Sequence, residues 1–230
     1  MTQKTNTLEQ RIIHCTGCLR LREHCLQIAT SKKKMFSEWD YWGKPVPNFG
    51  DPLARLVIVG LAPAAHGANR TGRMFTGDQS GVWLYRALHK AGFANQAESS
   101  SRSDGLTLVD CLITAVCHCA PPDNQPTPDE IKNCTPFLEE TFRSATQKKV
   151  ILSLGQIAWK NTRTALEGQG LATKSERKDF GHAVEVKLSS GLVLISSYHP
   201  SQQNTFTGKL TEPAFDEIFA RCRALIEDDH

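Results

Sequence analysis

The sequence predicts an α/β fold: a three-layer α/β/α sandwich around a central four-stranded parallel sheet. Three observations carry that reading. Apolar runs of strand length recur at 56–59, 106–116, 149–154 and 192–197, and segments of helical period alternate with them. A long Gly-rich loop follows the first run directly, where open α/β sheets build ligand sites at the carboxyl ends of their strands. The 230 residues, 40% hydrophobic and 22% charged, suit one domain with a sizeable core.

Residues 1–10 read as a flexible amino terminus and 11–230 as a single domain. Residues 11–34 have helical spacing and contain Cys15-Thr16-Gly17-Cys18 and Cys25. Lys32, Lys33 and Lys34 close that segment, which suits a helix carboxyl end. Residues 36–51, with Trp39, Tyr41, Trp42, two prolines and two glycines, read as irregular but packed. After the strand at 56–59 and the loop at 60–78, Ser80 can cap a helix with Leu84, Leu88 and Ala91 on one face, stopped by Gly92. Residues 94–105 are Ser-rich and polar, hence a surface loop.

The strand at 106–116 ends in Cys117-His118-Cys119-Ala120, and Pro121-Pro122 then forces an extended segment. Thr127-Pro128-Asp129-Glu130 is a capping box with proline at the first helical position. That helix carries Ile131, Cys134, Phe137 and Leu138, and Pro136 should kink it. A strand at 149–154 precedes a helix at 155–166. The strand at 192–197 ends in Tyr198-His199-Pro200-Ser201. A final helix begins near Thr211, with Phe215, Ile218, Phe219, Cys222 and Leu225 at core spacing. A parallel sheet would gather the 60–78 loop, the 119–124 segment and His199 at one rim.

Composition bounds the function. No run approaches the length of a membrane span, and the first residues lack a signal-like apolar core, so a cytoplasmic protein is expected. The net charge is +3, but residues 1–45 hold eight Lys/Arg against four Asp/Glu, and residues 212–230 hold two against six. An acidic tail therefore masks a basic body. Eight cysteines in such a chain point to metal or chemistry rather than a disulfide framework.

The 60–78 loop has four glycines in nineteen residues, one carboxylate, Asp78, and one bulky aromatic, Phe75. It lacks the Gly-Lys-Ser/Thr ending of a P-loop and the Gly-x-Gly-x-x-Gly of dinucleotide folds. The glycines would let backbone approach a ligand, and the alanines leave room for one. A pocket with one acid and one flat apolar wall suits a planar ring whose bond is to be broken.

The run Gly60-Leu61-Ala62-Pro63-Ala64-Ala65-His66-Gly67, its continuation Gly72-Arg73-Met74-Phe75-Thr76-Gly77-Asp78, and the later His199-Pro200-Ser201 resemble the uracil-DNA glycosylase superfamily. Within it the match is to family 5, the type b enzymes, whose first motif carries Ala where relatives carry an acid or Asn. The resemblance runs from Cys15 to about Leu210. It implies a DNA-repair glycosylase that flips uracil from DNA and hydrolyses its N-glycosidic bond, leaving an abasic site. Hypoxanthine or xanthine would be further substrates.

Under that resemblance Asp78 and His199 are catalytic. Asp78 would serve the sugar, where positive charge develops, and His199 would donate to a carbonyl oxygen of the departing base. Asp78 also suits a helix amino end on its own account. Gly60, Ala62, Phe75 and Asn124 would contact the base, Phe75 by stacking. Relatives carry an Asn at the end of the second strand, where this chain has Thr114-Ala115, so the matching amide is placed later, at Asn124. Turn chemistry is the other reading of Asn124.

Cys15, Cys18, Cys119 and Cys134 would hold a [4Fe–4S] cluster. Thiolates alone suit zinc as well, with Cys25 and Cys117 as rival ligands and Cys111 and Cys222 as core. Arg70, Arg73, Pro200, Ser201 and Lys209 are candidate contacts to single- or double-stranded DNA, the segment after His199 as a wedge. The partner expected is DNA holding deaminated bases, met by a monomer away from any membrane. A non-catalytic nucleic-acid binder of the same fold and a phosphate-handling α/β enzyme are the competing readings.

Overall fold

The computed structural model describes residues 7–228. Its sheet has six strands: β1 (Phe49–Gly50), β2 (Leu56–Gly60), β3 (Cys111–Ala115), β4 (Val150–Leu154), β5 (Glu185–Lys187) and β6 (Val193–Ser197). The order across the sheet is β1-β3-β2-β4-β6-β5. The inner four are parallel, as expected, and every residue in them is buried. Continuous apolar runs such as Leu56-Val57-Ile58-Val59 follow from helices covering both faces. The antiparallel edge strands β1 and β5, of two and three residues, extend the expected four-stranded sheet. Neither is long enough to show an alternating pattern in sequence.

Side-chain alternation divides the core in two. Leu56, Ile58, Ile113, Leu152 and Ile195 pack against α4 (Gln79–Lys90) and α8 (Glu212–Glu227). Val57, Val59, Leu112, Ile151 and Leu194 pack against α5 (Pro128–Ser144) and α6 (Gln156–Gly168). The chain leaves β2 over the first face and leaves β3 and β4 over the second. That divergence opens a crevice at the carboxyl end of β2. Among the described residues no helix is long and apolar enough to cross a membrane.

Several expected elements shift. The helical stretch at 11–34 is two helices, α1 (Leu8–Ile13) and α2 (Leu19–Ser31), broken at the Cys15–Cys18 turn. There the Gly17 N–H donates to Cys15 Sγ at 3.5 Å instead of continuing a helix. Of the segment expected to be flexible, 1–6 lie outside the described residues. Thr7 caps α1, so 7–10 are ordered. The strand expected over 106–116 is shortened because Asp110 turns left-handed at φ 55° to cap the Arg55 N–H. Asp78, not Ser80, is the N-cap of α4. The capping box on α5 forms as expected, and α5 runs through Pro136 without a break. Lys132 and Pro136 are both exposed, so water can serve the carbonyl that proline leaves unpaired. Two short helices, α3 (Ala68–Thr71) and α7 (Gln202–Phe206), sit within loops that sequence period could not resolve.

Candidate active site

The Gly-rich loop is shaped by close approaches between its own parts. Phe75 adopts a left-handed backbone, φ 52°, uncommon for a bulky residue and a mark of functional strain. Its ring lies where a Gly60 side chain would stand, 2.8–2.9 Å from that Cβ position. The Asp78 carboxylate likewise occupies the Cβ space of Gly67, whose added carbon would overlap Oδ2 and stand 2.9 Å from Cγ. These two glycines therefore admit the site's own side chains, a role different from the ligand approach expected of them.

Asp78 projects from the start of α4. Its Oδ1 accepts from the Gly81 N–H at 2.9 Å, so the helix-cap reading is right as far as one oxygen goes. Burial raises its pKa, opposed by the Gly81 and Ser80 amides and by Arg70. His199 follows β6, its carbonyl accepting from the Ser201 N–H and from Asn204 Nδ2, both at 2.8 Å. Burial pushes its pKa down to about 4, so the ring is neutral at ordinary pH. The rings of Phe75 and His199 stack at 6.0 Å between centroids, 30° apart in plane.

One cavity of about 480 Å³ gathers Gly60, Ala62, Phe75, Asp78, Asn124 and His199, with Ser201 also in its wall. Asn124 is exposed and left-handed, φ 55°, in the 122–124 turn, which agrees with turn chemistry and with a place at the cavity together. Ala115 lines the same cavity, while the Thr114 hydroxyl is buried and unpartnered elsewhere. Gln203 lines it from the segment expected to act as a wedge, whereas Met74 and Gln79 are lining residues that sequence reasoning missed. Adjacency to Phe75 and Asp78 was the only signal they offered.

Arg70 and Arg73 are corrections, because neither is a surface cation. Arg73 is 4% exposed, forks onto Asp104 with contacts of 2.8 and 2.6 Å, and donates to Thr76 and Ser99. Burial opposes ionisation of Asp104, but Arg73 and the amides of Leu106, Ser101 and Ser100 hold its carboxyl well below the usual range. Arg70 is 3% exposed, lies over the rings of Phe36 and Trp39, and donates to the His66 and Gly77 carbonyls. Both brace the loop from within. Pro200 is buried as well, so it shapes the turn and offers little contact surface.

Ser201 caps α7, its Oγ accepting from the Asn204 N–H at 3.4 Å. Lys209 is exposed with Nζ 4.6 Å from the Tyr198 ring centroid. Phe206, at 77% exposure, is the most open large apolar residue near the site. Its position in a polar stretch concealed it.

Cys15, Cys18, Cys119 and Cys134 line one small cavity between the α1–α2 turn, the segment after β3, and α5. Arg20 binds both oxygens of Glu130 at 2.8 Å and so clamps α2 to α5. Three of the four sulfurs accept N–H bonds: Cys15 from Gly17, Cys134 from the His118 amide at 3.4 Å, and Cys18 from Asn133 Nδ2 at 3.7 Å. Such donors favour thiolates bound to metal. Among the described residues no three ligating side chains converge on a point that holds one ion. A tetrahedral zinc would draw its sulfurs to about 3.8 Å of one another. Four thiols on one cavity are a donor set that suits either zinc or an iron–sulfur cluster. Cys25 and Cys117 are buried outside that cavity, and Cys111 and Cys222 are core.

The family model for the Uracil DNA glycosylase superfamily matches residues 47–223. The chain is 46% identical to a Type-5 uracil-DNA glycosylase of Mycobacterium bovis over 92% of its own length and 78% of that protein's. With the Type-5 uracil-DNA glycosylase of Mycobacterium leprae the identity is 45%, covering 95% and 94%. With that of Thermus thermophilus it is 40%, covering 94% and 95%.

Proposed function

The chain belongs to the uracil DNA glycosylase superfamily and is a DNA-repair glycosylase acting on uracil; we propose how its own residues divide that work. A water oxygen bonds to C1′ of the deoxyribose while the C1′–N1 bond breaks; the electron pair leaves with the base, and the proton of the water goes to the Asp78 carboxylate. Asp78 serves the sugar side. Its Oδ1 is held by the helix amide, which leaves Oδ2 over Gly67 to hold the water and oppose the positive sugar. His199 serves the base side. Neutral and stacked on Phe75, it donates a ring N–H to a carbonyl oxygen of the leaving base. Ala62 leaves room for the base, Phe75 walls it with its ring seated against Gly60, and Asn124 reads its edge.

The observation that carries this reading is that Asp78 and His199, 121 positions apart, face one cavity with Phe75 between loop and imidazole. Single-turnover excision from uracil-containing duplex tests it. Asp78→Asn is expected to slow excision by ~10²–10⁴ and His199→Ala by ~10²–10³. Parent-like rates in either variant remove that residue from the chemistry.

The small walls at Ala62, Ala64 and Ala115, with Asn124 as an exposed amide at the base edge, support wider substrates, hypoxanthine and xanthine among them. Contacts to single- or double-stranded DNA are assigned to Ser201 and Lys209, with α7 as the wedge beside the cavity. The four cysteines around one cavity are assigned to a [4Fe–4S] cluster, which would supply a rigid cross-link rather than reaction chemistry. Its residues tie the α1–α2 turn to the end of β3 and to α5. Action as a monomer in the cytoplasm completes the proposal.

A further inference from the structure

A second cavity, of about 550 Å³, shares no residue with the catalytic one. One wall is the aromatic segment at 39–44, fastened to the Gly-rich loop by the Trp42 N–H on the Arg70 carbonyl (2.9 Å) and the Gly43 N–H on the Asn69 carbonyl (3.0 Å). The other wall is Ser101-Arg102-Ser103, a turn fixed by Asp104, which accepts from the Ser100 and Ser101 amides at 2.8 and 3.1 Å. Sequence alone gave neither segment a task.

The charges in this cavity are one-sided. Lys44 and Arg102 stand over the Trp42 ring, at 5.5 and 4.3 Å from its centroid. Among the described residues neither pairs with a carboxylate, so the aromatic face positions them without neutralising them. Arg70 adds a third, buried guanidinium, whose Nη1 has no hydrogen-bond partner. The one carboxylate in the lining, Asp40, is exposed. Hydroxyls of Ser101 and Ser103 supply neutral donors. Unneutralised, pre-positioned cations beside hydroxyl donors make a site for a multiply oxygenated anion.

We propose that this cavity binds a phosphate group through Lys44 and Arg102, and that the phosphate is a backbone phosphodiester of the strand whose base enters the catalytic cavity. The second clause rests on the glycosylase reading above. The two cavities share the loop as a partition: Arg70 borders one and donates to the Gly77 carbonyl, next to Asp78 in the other. A phosphate seated there would register the strand against the catalytic carboxylate, a positioning contact that carries no base information.

The test compares the parent with Lys44→Ala/Arg102→Ala, both at exposed positions. One arm measures binding to uracil duplexes against salt, then to duplexes with a neutral methylphosphonate at one backbone position at a time. The double variant should show a salt slope shallower by about 1–2. It should also lose sensitivity to the one or two phosphates whose neutralisation weakens the parent. The second arm follows thermal stabilisation by inorganic phosphate, expected in the parent and diminished in the variant. Phosphate stabilisation lost by the variant, with an unchanged methylphosphonate pattern, overturns the DNA source and leaves a free-phosphate site. Unchanged behaviour in both arms overturns the proposal. A parent that never excises uracil would count against the glycosylase reading alone, because the inorganic phosphate arm still reads.

Discussion

Replacing Gly67 by alanine offers a sharp test of how the site is built, because it changes no group assigned to the chemistry. An added Cβ would overlap Asp78 Oδ2 and stand 2.9 Å from Cγ and 3.0 Å from its Cβ, so the carboxylate must move. Restoring ordinary contact takes a displacement of roughly 1 Å, and misplacement on that scale can cost ~10² in rate. That is about 2.7 kcal/mol in the barrier. If the carboxylate also leaves the Gly81 amide, loss of the cap adds about 1 kcal/mol of destabilisation. Single-turnover excision from a uracil duplex, at protein concentrations that saturate binding, reads the first effect. Chemical denaturation reads the second. A double-mutant cycle with Asp78→Asn separates position from presence: once the carboxylate is gone, Gly67→Ala should cost almost nothing more. Excision by Gly67→Ala at the parent rate, with an intact fold, would refute the placement of Asp78 over Gly67 as the working arrangement.

Other expectations follow from the same geometry. Arg73→Ala strips a buried carboxylate of its ion partner, which typically destabilises by about 3–5 kcal/mol. The amides that still serve Asp104 favour the lower end, and the salt slope of DNA binding should not change. Asp104 has a lowered folded pKa, so its stabilisation is present above the unfolded carboxylate value of about 3.9 and is lost as pH falls below it. In Arg73→Ala that acid-sensitive component of the melt should shrink. Anaerobically purified parent should be brown, with iron near four per chain for the assigned cluster type. Cys18→Ala and Cys134→Ala should lose the colour, whereas Cys111→Ala should keep it, and zinc in place of iron would overturn the assignment. Excision should rise with pH along a limb above the ordinary Asp range, because burial raises Asp78. With His199 pushed down to about 4, no second limb belongs near pH 6.5. One there that His199→Gln abolishes would contradict the neutral donor.

Much of the frame was legible because burial writes a pattern. Leu56 to Val59 are apolar throughout, and Val150 to Leu154 are apolar except for the buried Ser153, a pattern that suits strands covered on both faces. Thr127 and Glu130 announced the start of α5 through reciprocal capping bonds that local sequence suffices to make. The gathering of Asp78, Asn124 and His199 followed from parallel strands sharing one rim. What stayed hidden depended on tertiary contact. Ser80 looked like a cap because Ser commonly is one, yet Asp78 caps the helix two residues earlier with its carboxylate tucked over Gly67. The edge strands β1 and β5 are too short to carry a period. The break between α1 and α2 serves the cysteine cavity rather than any helix-stop signal.

The misreading of Arg70 and Arg73 shows how such a loop is held. Three groups in the site are unfavourable by themselves: a left-handed Phe75, a buried Asp78 carboxylate and a desolvated His199. A backbone outlier of this kind costs of order 1–3 kcal/mol and persists only where its surroundings over-determine it. Here the surroundings are charged. Arg73 binds Asp104 and Thr76 on one side, and Arg70 grips the His66 and Gly77 carbonyls on the other, each beneath an aromatic face. A guanidinium supplies several donors in a fixed plane, which suits a loop too irregular to pair its own carbonyls. Arg73 is spent inside the protein and cannot meet a phosphate, and Arg70 keeps only its Nη1 unpaired. The attraction for DNA must then come from cations that the fold leaves unpaired near the same loop, and Lys44, Arg102 and Lys209 are positioned for it by aromatic rings.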